Sequence, residues 1–150
     1  MNAEPGSVPS PLNIGIENSR RFRALPVYAN LLALGREGFV DMLKRQIELA
    51  RTIAEYIDKS DAYELLPPHP HSEIAEYRTI YIIVLFRLKD PERNATLVRR
   101  INSTRSVYVS GTTYESQPAC RFAISNWKSS VEQDWPLIRT ILQLAAVGFD

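Results

Sequence analysis

A chain of 150 residues, 45% hydrophobic and 23% charged, is long enough for one domain with its own core and lies outside the disordered class. Eighteen Lys and Arg against seventeen Asp and Glu leave a net charge of +1, which argues against nucleic acid or an anionic membrane as a partner. The single Cys120 excludes an internal disulfide framework and a multi-thiolate metal site, and the longest apolar run, residues 80–86, is too short to span a bilayer. No charged-then-apolar leader opens the sequence, so the cytoplasm is the expected compartment.

Residues 1–18, punctuated by Pro5, Gly6, Pro9 and Pro11, read as an extended connecting segment. Asn18 or Ser19 can cap a first helix that runs to about Leu34, where Gly35 supplies the stop. Pro26 inside that window predicts a kink or an irregular first turn. From residue 36 to 59, Phe39, Leu43, Ile47, Ala50, Ile53, Ala54 and Ile57 recur at helical spacing and form an amphipathic stripe.

A short strand is expected at residues 63–66, before a loop made by Pro67, Pro68 and Pro70. Residues 78–86 are β-branched and aromatic and apolar on both faces, which predicts a central strand covered on both sides. Asp90-Pro91 reads as an N-cap followed by proline at the first helical position, with a helix to about Arg105. Residues 107–113 and 119–125 predict an antiparallel strand pair joined through Glu115, Ser116 and Gln117. Ser129 and Glu132 have capping-box spacing, but Pro136 moves the expected start of the last helix towards Asp134. The order αα-ββ-α-ββ-α implies an α+β fold, a small and mostly antiparallel sheet packed by helices.

Few residues point to chemistry. His69 and His71, with Glu73 nearby, lie in a proline-rich loop and lack a third ligand on an evident scaffold, so no metal site is assigned. Cys120 alternates with Phe122 and Ile124 on an apolar face, which predicts a buried, inert thiol. The sequence has no glycine-rich phosphate loop, nucleophile elbow or paired-carboxylate signature. Arg121 is the exception. On the opposite face of that strand it stands among Ala119, Ala123 and Ser125, small neighbours that leave room for a ligand. A guanidinium so placed can grip a carboxylate or phosphate through two hydrogen bonds, while a solvated arginine or an interdomain salt bridge is the structural alternative. Arg20, Arg21 and Arg23 open a helix at the end where the macrodipole disfavours cations, which calls for a compensating acidic group, Glu17 or a partner surface.

The stretch Asn13-Ile14-Gly15-Ile16-Glu17-Asn18-Ser19-Arg20-Arg21-Phe22-Arg23-Ala24-Leu25-Pro26-Val27-Tyr28, then Gly35-Arg36-Glu37-Gly38-Phe39, resembles the start of the C-terminal region of pyridoxal-phosphate-dependent decarboxylases. The likeness is to the aromatic-L-amino-acid-decarboxylase group, in its fungal form, and continues through Ile101-Asn102-Ser103-Thr104-Arg105, Val109-Ser110-Gly111-Thr112 and Pro118-Ala119-Cys120-Arg121-Phe122-Ala123-Ile124-Ser125. It implies a fold type I enzyme, usually a homodimer, whose large domain holds pyridoxal 5'-phosphate while a small C-terminal domain closes over it. It matches Arg121 to the arginine near the substrate carboxylate and places Arg20, Arg21 and Arg23 in the helix joining the two domains. The family's imine-forming lysine follows a histidine upstream, whereas Lys44, Lys59, Lys89 and Lys128 do not follow one, so the chain carries no catalytic residue of its own.

The resemblance thus divides the chain into a linker remnant (1–18), a helical junction segment (19–60) and a small α+β domain (61–150). The expected function is that of the C-terminal fragment of an amino-acid carboxy-lyase, acting on an aromatic L-amino acid and inactive alone. Two alternatives belong to other classes: a non-catalytic interaction or dimerisation module derived from such an enzyme, and a small metalloprotein using His69 and His71.

Overall fold

The computed structural model describes residues 21–68 and 76–147. The proposed linker 1–18, the caps Asn18 and Ser19, Arg20, and the candidate ligands His69, His71 and Glu73 lie outside the described residues. The chain divides into two compact units, residues 1–39 and 40–150.

Helix α1 is Leu25–Asp58. Pro26 falls in its first turn, where a missing N–H is harmless, so the start of the helix moves to Leu25 and no proline kink forms inside it. Gly35 is the irregularity instead, with φ 58° and ψ −173°, backbone space that is almost reserved for glycine. The predicted stop is therefore seen as a break in helical geometry, after which the helix resumes to Asp58.

In the unit of residues 40–150, strand β1 is Tyr63–Leu66, as its sequence predicts, and ends in a cis Leu66–Pro67 bond. A 3₁₀ turn at Glu76–Thr79 precedes β2, Ile83–Leu88. Helices α2 (Pro91–Asn94) and α3 (Leu97–Ser103) follow, then β3 (Ser110–Tyr114), β4 (Gln117–Ala123) and α4 (Val131–Val147). The four strands form one antiparallel sheet in the order β1-β2-β4-β3. The α+β class read from the sequence is the observed one.

Local chemistry sets the boundaries. The Asp90 carboxylate accepts from the N–H groups of Glu92 and Arg93 at 3.0 and 3.2 Å, with Pro91 at the first helical position. The helix expected as far as Arg105 is two short ones, divided at Ala95 and Thr96. β3 and β4 are joined by only two residues, Glu115 and Ser116, at φ 49° and 63°. Two successive positive φ values match the right-handed twist of a tight hairpin even without glycine. α4 starts at Val131, earlier than Pro136 suggests. Ser130 caps it by accepting from Gln133 N–H through its hydroxyl, while Asp134 accepts the Ser130 N–H.

One face of the sheet is the core. Tyr63, Leu65, Val84, Phe86, Leu88, Cys120 and Phe122 pack against Leu49, Ile53 and Ile57 of α1, Leu97 and Ile101 of α3, and Ile141 and Leu142 of α4. Phe86 is at its centre, stacked on Phe122 with centroids 5.5 Å apart and edge-on to Tyr63 at 5.8 Å. The Tyr63 hydroxyl donates to the Leu142 carbonyl at 2.8 Å, which satisfies a buried polar group and ties the sheet to α4. Burial raises the Tyr63 hydroxyl well above the ordinary phenol value. The other face is not covered in the same way. Ile83 is 48% exposed and Leu85 half-buried, so β2 is a central strand with one fully covered face, not the two that its apolar run predicts. Tyr81, inside the predicted strand, precedes the observed one and is exposed.

Candidate functional site

The open face of the sheet carries the residue singled out by alternation. In β4, Cys120 and Phe122 turn into the core, whereas Arg121 and Ala123 are exposed on the other side. Antiparallel register puts Arg121 opposite Leu85 of β2 and opposite Ser110 of β3. The Arg121 Nε–H donates to Ser110 Oγ at 2.9 Å. No second hydrogen bond of its guanidinium is formed among the described residues, so the terminal nitrogens remain free for an anionic group. Ser110 is a partner that the sequence reading did not assign; the period-two pairing of residues 107–113 with 119–125 is the signal that contains it.

A second cation lies on the same face. Arg87 Nε donates to Glu64 at 2.7 Å and its NH1 to Gln117 Oε1 at 2.7 Å. Its side chain is 17% exposed, and its hydrogen bond to the Glu64 carboxylate holds the guanidinium pKa above the ordinary arginine value. Arg87 is therefore internally neutralised, whereas Arg121 has only a hydroxyl. That difference makes Arg121 the anion-binding candidate of the two. Ala119 is buried, so the free space around Arg121 lies beside Ala123 and Ser125, not evenly on both sides.

Burial pushes the Cys120 thiol up to about 12, against a smaller opposite effect of a backbone hydrogen bond with Arg121. At neutral pH it is protonated and a poor nucleophile. Among the described residues no cluster of three or more His, Cys, Asp or Glu is placed to hold a metal. No helix among them is long and apolar enough to cross a membrane. A cleft of about 500 Å³ lies elsewhere, along α1 between Lys44, Glu48, Arg51, Glu55, Tyr77 and Arg78. Its mixed charges do not build a site for one sign of ligand.

Arg45 and Gln46 of α1 are further residues that periodicity alone misses. Arg45 donates to the carbonyls of Ser129 and Trp127, and buried Gln46 to that of Asn126, which pins the segment between β4 and α4. Their polar character reads from sequence as solvated surface; only the long-range contact shows the clamp.

The fold defines a class. It superposes on Oryza sativa TDC, solved with PLP and tryptamine, with a TM-score of 0.70 and 18% identity over 88% of this chain and 28% of that one. By sequence, the chain is 25% identical over 135 residues to tyrosine decarboxylase 2 of Arabidopsis thaliana, covering 83% of this chain and 23% of the relative. It is 28% identical over 106 residues to 3,4-dihydroxyphenylacetaldehyde synthase of Drosophila melanogaster, covering 70% and 19%. No family model matches the chain. The chain spans about a fifth of the length of the curated relatives it matches. It is similar to one portion of larger amino-acid decarboxylases, and the α+β fold of that portion is shared.

The residues described do not by themselves build a pyridoxal-phosphate site. Imine formation needs an amine that is sheltered and poised, and all four lysines are exposed. Lys59 pairs with Glu55, Lys128 lies 4.9 Å over the Trp127 ring, Lys89 reaches the Ser60 carbonyl, and Lys44 borders the charged cleft.

Proposed function

We propose that this chain is the C-terminal portion of a pyridoxal-phosphate-dependent carboxy-lyase that acts on an aromatic L-amino acid, with Arg121 orienting the substrate carboxylate. The observation that carries the reading is the free edge of Arg121, held by Ser110 on the open face of a sheet shared with amino-acid decarboxylases. In decarboxylation the cofactor supplies the electron sink. This chain contributes a cation that a carboxylate can approach through two parallel hydrogen bonds. Fixing that group restricts the rotation of the substrate before its bond breaks.

In this reading, residues 1–18 are the link from a cofactor-bearing large domain, 19–60 the junction helices and 61–150 the small domain. In the same reading the cofactor and catalytic groups come from the larger portion and the chain is inactive by itself, which the exposure of all four lysines supports, and the complete enzyme pairs as two copies in the cytoplasm. The test is the mass of the native protein, by denaturing gel and immunoblot against this region. A band several-fold above 17.1 kDa is expected. A band at 17.1 kDa would overturn the reading in favour of a non-catalytic interaction module, which the exposed apolar helical segment at residues 25–34 otherwise favours.

A further inference from the structure

Beyond the end of the β3–β4 ladder, the unit of residues 40–150 has a groove that Arg121 does not line. The ladder stops at the Ser110–Arg121 pair. Val109, the next residue out, has both backbone groups held by the Asn102 amide, which donates to its carbonyl at 2.9 Å and accepts its N–H at 2.8 Å. On the other side β4 keeps its neighbour further along, where the Ile124 N–H donates to the Ile82 carbonyl at 2.8 Å. The groove, about 180 Å³, lies between the residues that precede β3, the end of β4 and the first two turns of α4.

Its lining combines apolar walls with one charge. Phe122, Ile124 and Ile138 belong to the core and reach the groove, and Leu137 and Tyr108, 47% and 79% exposed, line it nearer to solvent. Asp134 is the one charged residue among those that line it. Its Oδ2 accepts the Ser130 N–H at 3.1 Å, whereas Oδ1 accepts no hydrogen bond and the carboxylate makes no ion pair among the described residues. Arg45, which reaches the Ser129 carbonyl nearby, is committed to that carbonyl, to the Trp127 carbonyl and to Asp41. The start of α4 offsets part of the Asp134 charge but supplies no donor to Oδ1. A half-buried carboxylate with a free oxygen beside apolar walls suits a charged donor carried on an apolar body. The volume sets the size of that body: a cavity of about 150 Å³ takes one benzene ring.

We propose that this groove binds a small monocationic amine with a single apolar ring, the ammonium on Asp134 Oδ1 and the ring against Phe122, Leu137 and Ile138. No lysine or arginine lines the groove, so a carboxylate on the same ligand finds no partner there and meets Asp134 instead. The site depends on the groove alone and not on Arg121, whose charge suits the opposite group. Where it rests on the proposed function, it adds a regulatory meaning: loss of carbon dioxide from an aromatic amino acid leaves an amine of this class, so the groove tells the product from the substrate.

Titration of the full 150-residue chain with 2-phenylethylamine, followed by NMR chemical shifts, tests it. Saturable shifts at Tyr108, Leu137 and Ile138 are expected, with a dissociation constant on the order of 0.1–1 mM for so small a ligand. Asp134→Asn keeps an acceptor for the Ser130 N–H and should weaken binding about 10-fold, the value of a charge-assisted hydrogen bond. Leu137→Ala should weaken it roughly 3- to 10-fold, and Arg121→Ala should leave it unchanged. Should the variants misfold, the wild-type chain still decides: phenylacetate and phenylalanine, which carry a carboxylate on the same ring, should bind at least about 10-fold more weakly than the amine. No saturable shift, phenylacetate bound as tightly as the amine, equal affinity in a folded Asp134→Asn, or shifts centred on Arg121 would each overturn the proposal. Amine binding by a chain whose native mass is 17.1 kDa would keep the groove and overturn the decarboxylase reading. A several-fold larger native band without amine binding would do the reverse.

Discussion

Ser110 and Arg121 face each other across the β3–β4 ladder, and the serine hydroxyl accepts the Arg121 Nε–H at 2.9 Å. The bond removes one guanidinium rotation and leaves the edge bearing the terminal nitrogens unengaged, a preorganised fork on a rigid strand. In the complete enzyme, Arg121→Ala is expected to lower kcat/KM by roughly 10- to 150-fold, the value of a lost hydrogen bond to a charged group. Arg121→Lys keeps the charge without the fork and should recover only part of the loss. Ser110→Ala, which loosens the arginine without removing it, should raise KM more than it lowers kcat. Steady-state kinetics of the three variants check this, and wild-type kcat/KM in Arg121→Ala would end the substrate role of Arg121.

The proposed role has a structural counterpart. Arg121 is exposed and makes no ion pair among the described residues, so Arg121→Ala should change stability by no more than about 0.5 kcal/mol. Urea unfolding of wild type and variant is the measurement. A loss several times larger would mean that the arginine is a structural strut.

Phe86 gives the opposite case. It is fully buried between Tyr63 and Phe122, and truncation to alanine opens a cavity where three strands meet the helices. Phe86→Ala is expected to cost about 3–5 kcal/mol in denaturant unfolding, enough to leave a marginal domain largely unfolded. A cost below about 1 kcal/mol would show that this core is not close-packed.

These contrasts show which parts of the fold can be read from sequence. Alternation put Cys120 and Phe122 inside and Arg121 outside because period two is dictated by the pleat. Asp90-Pro91 identified a helix start because the cap is a local hydrogen bond. The run at residues 80–86 misled for a physical reason: a chain apolar on both faces reads as doubly covered, yet Ile83, 48% exposed, shows that the cover on one side is incomplete among the described residues. The two-residue turn at Glu115 and Ser116 was unreadable because neither residue is the usual choice for positive φ. The Ser110 contact needed the exact strand register, which one residue of slip would have reversed.

The isolated chain should hold added pyridoxal phosphate only weakly. All four lysines are exposed, so any imine with added pyridoxal phosphate should be weak and spread over several positions. Borohydride trapping followed by peptide mapping is expected to find substoichiometric labelling without preference, and no release of carbon dioxide from aromatic amino acids. One stoichiometric adduct, accompanied by turnover, would show that the chain is an enzyme unaided.

Cys120 has its folded pKa pushed up to about 12 from an ordinary thiol value near 9, by burial first, and Tyr63 is displaced upward in the same way. For groups raised in the folded state, the protonated form favours folding. Their contribution is complete below the unfolded pKa and declines as pH rises towards the folded one. The urea midpoint should therefore be insensitive to these groups between about pH 7 and 8 and fall from about pH 9 upward. Cys120→Ala, though less stable at neutral pH through lost packing, should fall less steeply over that range. The same burial makes the thiol slow towards an aromatic disulfide reagent in native buffer and fast in urea. A native thiol that reacts at the unfolded rate, or a midpoint that rises above pH 9, would contradict the placement of Cys120 in the core.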